Sequence, residues 1–117
     1  MPTYELLREG EWSDDGRMLT PDSTTWREDP VPLLSMGTGE EHSDSEIVGI
    51  VSNIRRVGNK ILGDTSIEIG EGKALTCSTD RLDEVIEHED GCMEMRGVRL
   101  RGAYINKQEN YPWKDNE

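Results

Sequence analysis

"EIVGIVSNIRRVGNKILGDTSIEI", Glu46–Ile69, carries the strongest pattern in the chain. From Lys60 onward Ile61, Gly63, Thr65, Ile67 and Ile69 recur at every second position. Lys60, Asp64, Ser66 and Glu68 fall between them, and Leu62 is the one exception. A period of two is the signature of a strand with one buried face. Val57-Gly58-Asn59 interrupts the run, and its glycine can take the positive φ that a tight hairpin needs. In the first arm Ile47, Val48, Ile50 and Val51 are apolar on both faces. That predicts a strand covered on both sides, as in a small barrel or a sandwich.

Working outward, the first thirty residues are extended and rich in turn formers. "SDDG" (Ser13–Gly16), "TPDS" (Thr20–Ser23) and "EDPVP" (Glu28–Pro32) punctuate them. Short strands fit at Tyr4–Arg8, Arg17–Thr20 and Val31–Met36, and an acidic loop from Met36 leads to His42. Downstream, "STDRLDEVIEHEDG" (Ser78–Gly91) predicts a short α-helix near residues 80–89. Ser78, Thr79 or Asp80 would cap it, Leu82, Val85 and Ile86 would form its stripe, and Gly91 would end it. His88 would lie on its polar side. "CMEMRGVRLRGAYIN" (Cys92–Asn106) then supplies a strand pair or one long strand. Val98, Leu100 and Tyr104 share one face there, with Arg99 and Arg101 opposite. The expected architecture is a single domain over residues 1–117, mainly β, with that one helix and a polar tail at 107–117. The tail carries Tyr111 and Trp113, which either fold back to close the core or anchor a partner.

Composition narrows the functions. Only 32% of the residues are hydrophobic, and there is no Phe, against about 45–50% apolar residues in ordinary globular domains. So thin a core gains from docking onto a larger surface. A net charge of −12 makes nucleic acid and anionic membranes poor partners and fits a basic protein surface or simply solubility. The two cysteines, Cys77 and Cys92, form no CxxC and no zinc spacing, and "MPTYELLREG" has no apolar leader. A reduced, intracellular setting follows, with the thiols as small core residues.

Chemistry is sparsely represented. His42 sits in "EEHSDSE" (Glu40–Glu46) among four carboxylates, but the spacing of a calcium loop is missing, so no metal and no cofactor is expected. Ser43 and Ser45 are too near His42 in sequence to count as a catalytic pair, and there is no GxSxG elbow. Cys77 with His42 or His88 is a conceivable thiol pair, though nothing marks either cysteine as activated.

One resemblance covers most of the chain. Leu19–Arg27, Pro30–Leu34, His42, Ile47-Val48-Gly49 and Lys60–Ile69, followed by the closing "VRLRGAYINKQENYPW", are similar to phage capsid maturation (prohead) proteases. The resemblance implies an assemblin-like β-barrel in which His42 matches the base. It places the serine nucleophile near Ala103-Tyr104, where neither residue can serve, and Ser52, Ser66 and Ser78 lie in other elements. A protease scaffold without a nucleophile implies a non-enzymatic virion protein of a tailed phage. Such a decoration or minor capsid protein would bind the major capsid protein, and possibly itself, after assembly in the host cytoplasm. Tyr4, Trp26, Tyr111 and Trp113 are the expected contacts. The alternatives are an active prohead serine protease with His42 as base and a phage binding module directed at a host protein.

Overall fold

A computed structural model describes residues 1–35 and 46–113. The described residues form ten strands. They are β1 (Thr3–Arg8), β2 (Arg17–Leu19), β3 (Thr25–Trp26), β4 (Val31–Ser35), β5 (Ile47–Val57), β6 (Lys60–Thr65), β7 (Lys73–Arg81), β8 (Glu84–Glu87), β9 (Met93–Arg96) and β10 (Arg99–Lys107). The only helical piece described is a 3₁₀ turn at Gln108–Asn110.

The hairpin forms as the periodicity demands. β5 and β6 pair antiparallel with Val57 opposite Lys60, and Gly58 turns at φ +62°, where any side chain would be strained. Along β6, Ile61, Gly63 and Thr65 are buried while Leu62 and Asp64 are not. The alternation stops with the strand. Ile67 is exposed, and Ile69 turns inward again.

The larger sheet has seven strands and runs β1-β6-β5-β4-β10. β7 pairs antiparallel along one edge of β10, so β3 and β4, both parallel to β10, share the other edge at different heights. The smaller sheet is β2-β9-β8. β7 leads into β8 through Leu82-Asp83, and β9 into β10 through Gly97-Val98, so a two-stranded ribbon bends from one sheet to the other. Gly97 makes the bend possible. It holds φ +77°, and a Cβ there would lie 2.2 Å from Asp83 Oδ2.

The fold is mainly β and sandwich-like, and the described residues form no closed barrel. β1 and β7 approach without pairing, bridged where the Cys77 thiol donates to Leu6 O at 3.0 Å. Leu33, Val51, Ile61, Leu75 and Leu100 are essentially fully buried between the layers, each worth about 1.5–3 kcal/mol relative to exposure.

Several expectations are corrected. The helix near residues 80–89 does not form. Ser78–Arg81 complete β7, Glu84–Glu87 make β8, and His88–Gly91 turn the chain, with Gly91 at φ +86° and the His88 N–H donating to Cys92 O at 2.9 Å. A stripe of three apolar residues buries too little to hold a helix, whereas the ribbon supplies pairing partners. The first arm is not covered on both sides, because Ile47, Val48 and Ile50 all face water. Tyr104 does not share the core face with Leu100. Register shifts around Leu100–Gly102 bring Ala103 and Ile105 inward instead. Cys77 packs against the core, whereas Cys92 lies half-exposed beside Gly16.

The tail folds back. Tyr111 and Trp113 are buried, their rings meet edge-on at 5.9 Å, and the Trp113 indole donates to Glu11 O at 2.9 Å. Both rings therefore serve the core, and neither is presented as an anchor.

Candidate functional site

An open cleft of about 720 Å³ lies on the outer face of the large sheet, where β3 gives way to β4 alongside β10. Trp26, Pro30, Pro32 and Leu34 form its apolar side, and Arg27, Arg99 and Arg101 its polar side. The alternation of β10 explains the arginines: with Leu100 buried, Arg99 and Arg101 must point away from the core. Gly102 lets β10 lie close to Pro32, whose carbonyl would be 3.0 Å from an added Cβ.

One carboxylate serves two of the three guanidinium groups. Arg99 grips Asp80 at 2.8 and 3.2 Å, and Arg27 donates to Asp80 Oδ2 from the other side. Arg99 chiefly, helped by Arg27, holds the Asp80 carboxyl below the usual carboxylate range despite the opposing effect of desolvation. Arg101 donates to Ser78 Oγ at 2.8 Å and has no carboxylate partner among the described residues. Three cations thus face two anions, Asp80 and Glu28, in a chain of net charge −12. Guanidinium groups set beside an apolar wall suit a carboxylate carried next to an aliphatic side chain.

The cleft floor is anchored by an ion pair at its back. Arg56 lies 5.7 Å from the centre of the Trp26 ring, bonds Glu9 at 2.8 and 3.2 Å, and donates to Thr24 O at 2.8 Å. Burial works to raise the Glu9 pKa. Arg56 and Thr24 together outweigh that, so the carboxyl titrates below its ordinary range. Trp26 is therefore fixed in orientation before anything binds.

Beside the cleft, the outer face continues across β4 and β5. Pairing sets Pro32 opposite Ile50 and Leu34 opposite Ile47, and residues opposite one another share a face. Val48 occupies the irregularity between them. Ile47 is 71% exposed, Ile50 41% and Val48 39%. In a chain so short of apolar residues, three such side chains left in water on one strand define an unsatisfied surface.

The residues singled out from sequence are dispersed. His42 lies outside the described residues. His88 sits in the turn after β8, its Nε2 3.5 Å from Glu94 Oε1 and its ring edge-on to Trp12. No hydroxyl or thiol bonds it among the described residues. Ser66 Oγ accepts from the Ile50 N–H at 2.9 Å, and Ser78 Oγ is taken by Arg101. Burial pushes the Cys77 thiol up to about 12, far from thiolate reactivity. Ala103, where the resemblance would put a nucleophile, is 1% exposed. Tyr4 packs on the core and accepts from the Ile69 N–H, and of the four expected contacts Trp26 alone reaches the cleft. Among the described residues no group of histidine, cysteine and carboxylate side chains could hold a metal ion.

Sequence reading missed the cleft as a unit. Arg99 and Arg101 are legible as outward-facing, but Asp80 reads from sequence only as one of three candidate helix caps. The available signal was the recurrence of arginine in "TWRE" and "VRLR" within an acidic chain. No protein-family model matches this chain, and no curated protein or solved structure is detectably similar to it.

Proposed function

We propose that the protein is a non-enzymatic docking module, a decoration or minor capsid protein that sits on the shell of a tailed phage. Ile47, Val48 and Ile50, continuous with Pro32 and Leu34, are the observation that carries this reading. These side chains gain only if another surface covers them. The capsid as the covering partner rests on the sequence resemblance. The acidic character of the chain adds to it, since an anionic body is drawn to basic patches on a shell. Burial of Ala103 supports the non-catalytic part of the reading.

The test is cosedimentation of the purified chain with shells of the phage that encodes it, together with mass spectrometry of mature particles. Many copies per particle are expected, and Ile47→Glu/Ile50→Glu should abolish binding while leaving the melting temperature unchanged. A chain that is missing from particles and stays in the supernatant sinks the reading. So does cleavage of capsid protein that depends on His42.

A further inference from the structure

Two features on opposite arms of the bent ribbon have no use for each other within one molecule. One is the arginine cleft, basic and apolar. The other is the β8 edge, acidic and apolar. Every residue of Glu84–Glu87 is exposed, with Val85 42% and Ile86 37% exposed, and Leu82 beside them at 47%. Among the described residues Glu84 reaches Arg96, at 3.6 Å and in solvent. β8 has β9 on one side and no strand on the other among the described residues.

We infer that copies of this chain associate head to tail, the β8 strand of one copy seated in the Trp26–Arg101 cleft of the next. Charge complementarity selects this occupant. Glu84 and Ile86 share one face of β8 and Val85 and Glu87 the other, so either face presents a carboxylate beside an aliphatic group. The cleft presents Arg101, Arg27 and Arg99 beside Pro30, Pro32 and Leu34. Direct edge pairing of two β8 strands is disfavoured, because antiparallel pairing about Val85-Ile86 sets Glu84 against Glu87. The overall charge of −12 opposes approach only weakly, since charges separated by more than about 8 Å are largely screened at physiological salt. Contacts formed inside the cleft are screened much less. Because donor and acceptor surfaces differ, the contact is heterologous and builds rings or chains rather than a two-fold dimer. It meets the shell-docking patch at Pro32 and Leu34 and leaves Ile47 and Ile50 on β5 uncovered, so lateral contacts between copies and docking through those two isoleucines can coexist.

Sedimentation equilibrium from low micromolar to millimolar chain tests this without any shell present. The wild type should exceed the monomer mass as concentration rises. Arg101→Glu and Glu84→Arg/Glu87→Arg should each weaken self-association by about tenfold or more. Mixing those two variants should restore it, since the reversed cleft of one then meets the reversed strand of the other. A wild type that stays monomeric throughout overturns the inference, as does a mixture that recovers nothing. Assembly that survives Arg101→Glu but not the β8 substitutions assigns the contact to edge pairing and likewise overturns it. Circular dichroism and melting of each variant separate these outcomes from misfolding. Ile47→Glu/Ile50→Glu should lose shell binding and keep self-association, so the shell reading and the self-association inference fail separately.

Discussion

The two halves of β5 are treated in opposite ways. At one end Ile47, Val48 and Ile50 face water; at the other the charged Arg56 is drawn against Glu9, which is only 2% exposed, and the ring of Trp26. Hydrophobicity alone would have reversed the assignment. Burial here follows what neighbouring strands bring. β1 and the Pro21–Thr24 segment carry a carboxylate and a carbonyl to the Arg56 end, while nothing described crosses over the other. The contrast separates a region finished within the chain from one completed by something else.

The largest expected effect comes from breaking the closed half. Glu9→Ala leaves Arg56 without its main partner and the Thr24 N–H without its acceptor. Loss of one member of a buried pair costs about 3–5 kcal/mol, which urea denaturation reads as a lower midpoint. Trp113→Ala removes a ring that closes the core and the indole bond to Glu11 O. It should cost about 3 kcal/mol, the low end for a buried tryptophan because the residue lies at the core margin. Gly97→Ala forces a side chain into a positive φ and onto Asp83. About 1–3 kcal/mol should be lost, with the chemical shifts of β8 and β9 disturbed more than those of β5 and β6.

A pH titration sharpens the contrast from Asp64 of β6, which faces the middle of β5. Asp64 accepts from Thr3, Asn53 and Arg55, which together bring its pKa from the ordinary 3.8 down to about 2. A depressed carboxylate pKa stabilises the fold above the ordinary value, and the contribution is lost as pH falls through about 2. Stability should therefore rise between pH 2 and 4, and Asp64→Asn should flatten that rise. The smallest effect belongs to the open half. Ile47→Glu/Ile50→Glu should shift stability by less than about 0.5 kcal/mol. A loss of several times that would mean the isoleucines already have a partner within the chain.

Legibility divided along the same line. The alternation of Ile61, Gly63 and Thr65 placed β6 and its buried face, and Gly58 placed the turn, because strand periodicity and turn chemistry are local. The helix assigned near residues 80–89 failed because Leu82, Val85 and Ile86 fit a helical stripe as well as they fit two strand ends around a bend. Pairing with Met93–Arg96 decided between them. Tyr104 was set on the wrong face by an irregularity in register that its own sequence does not announce. Of the candidate contacts, Trp26 was found as a residue, but its arginine companions come from β10 and their counter-ion from β7.

The sequence by itself determined that this chain is β-rich, turns at Gly58, carries too little apolar matter for a generous core and bears a strong negative charge. Tertiary structure alone decided that Tyr111 and Trp113 are spent inside, that Ile47 and Ile50 are left outside, and that Arg27 and Arg99 share one aspartate. A residue's neighbours along the chain fix which side of a strand it occupies. Which strand comes to lie against that side is settled by contacts between residues far apart in sequence, and no local pattern records them.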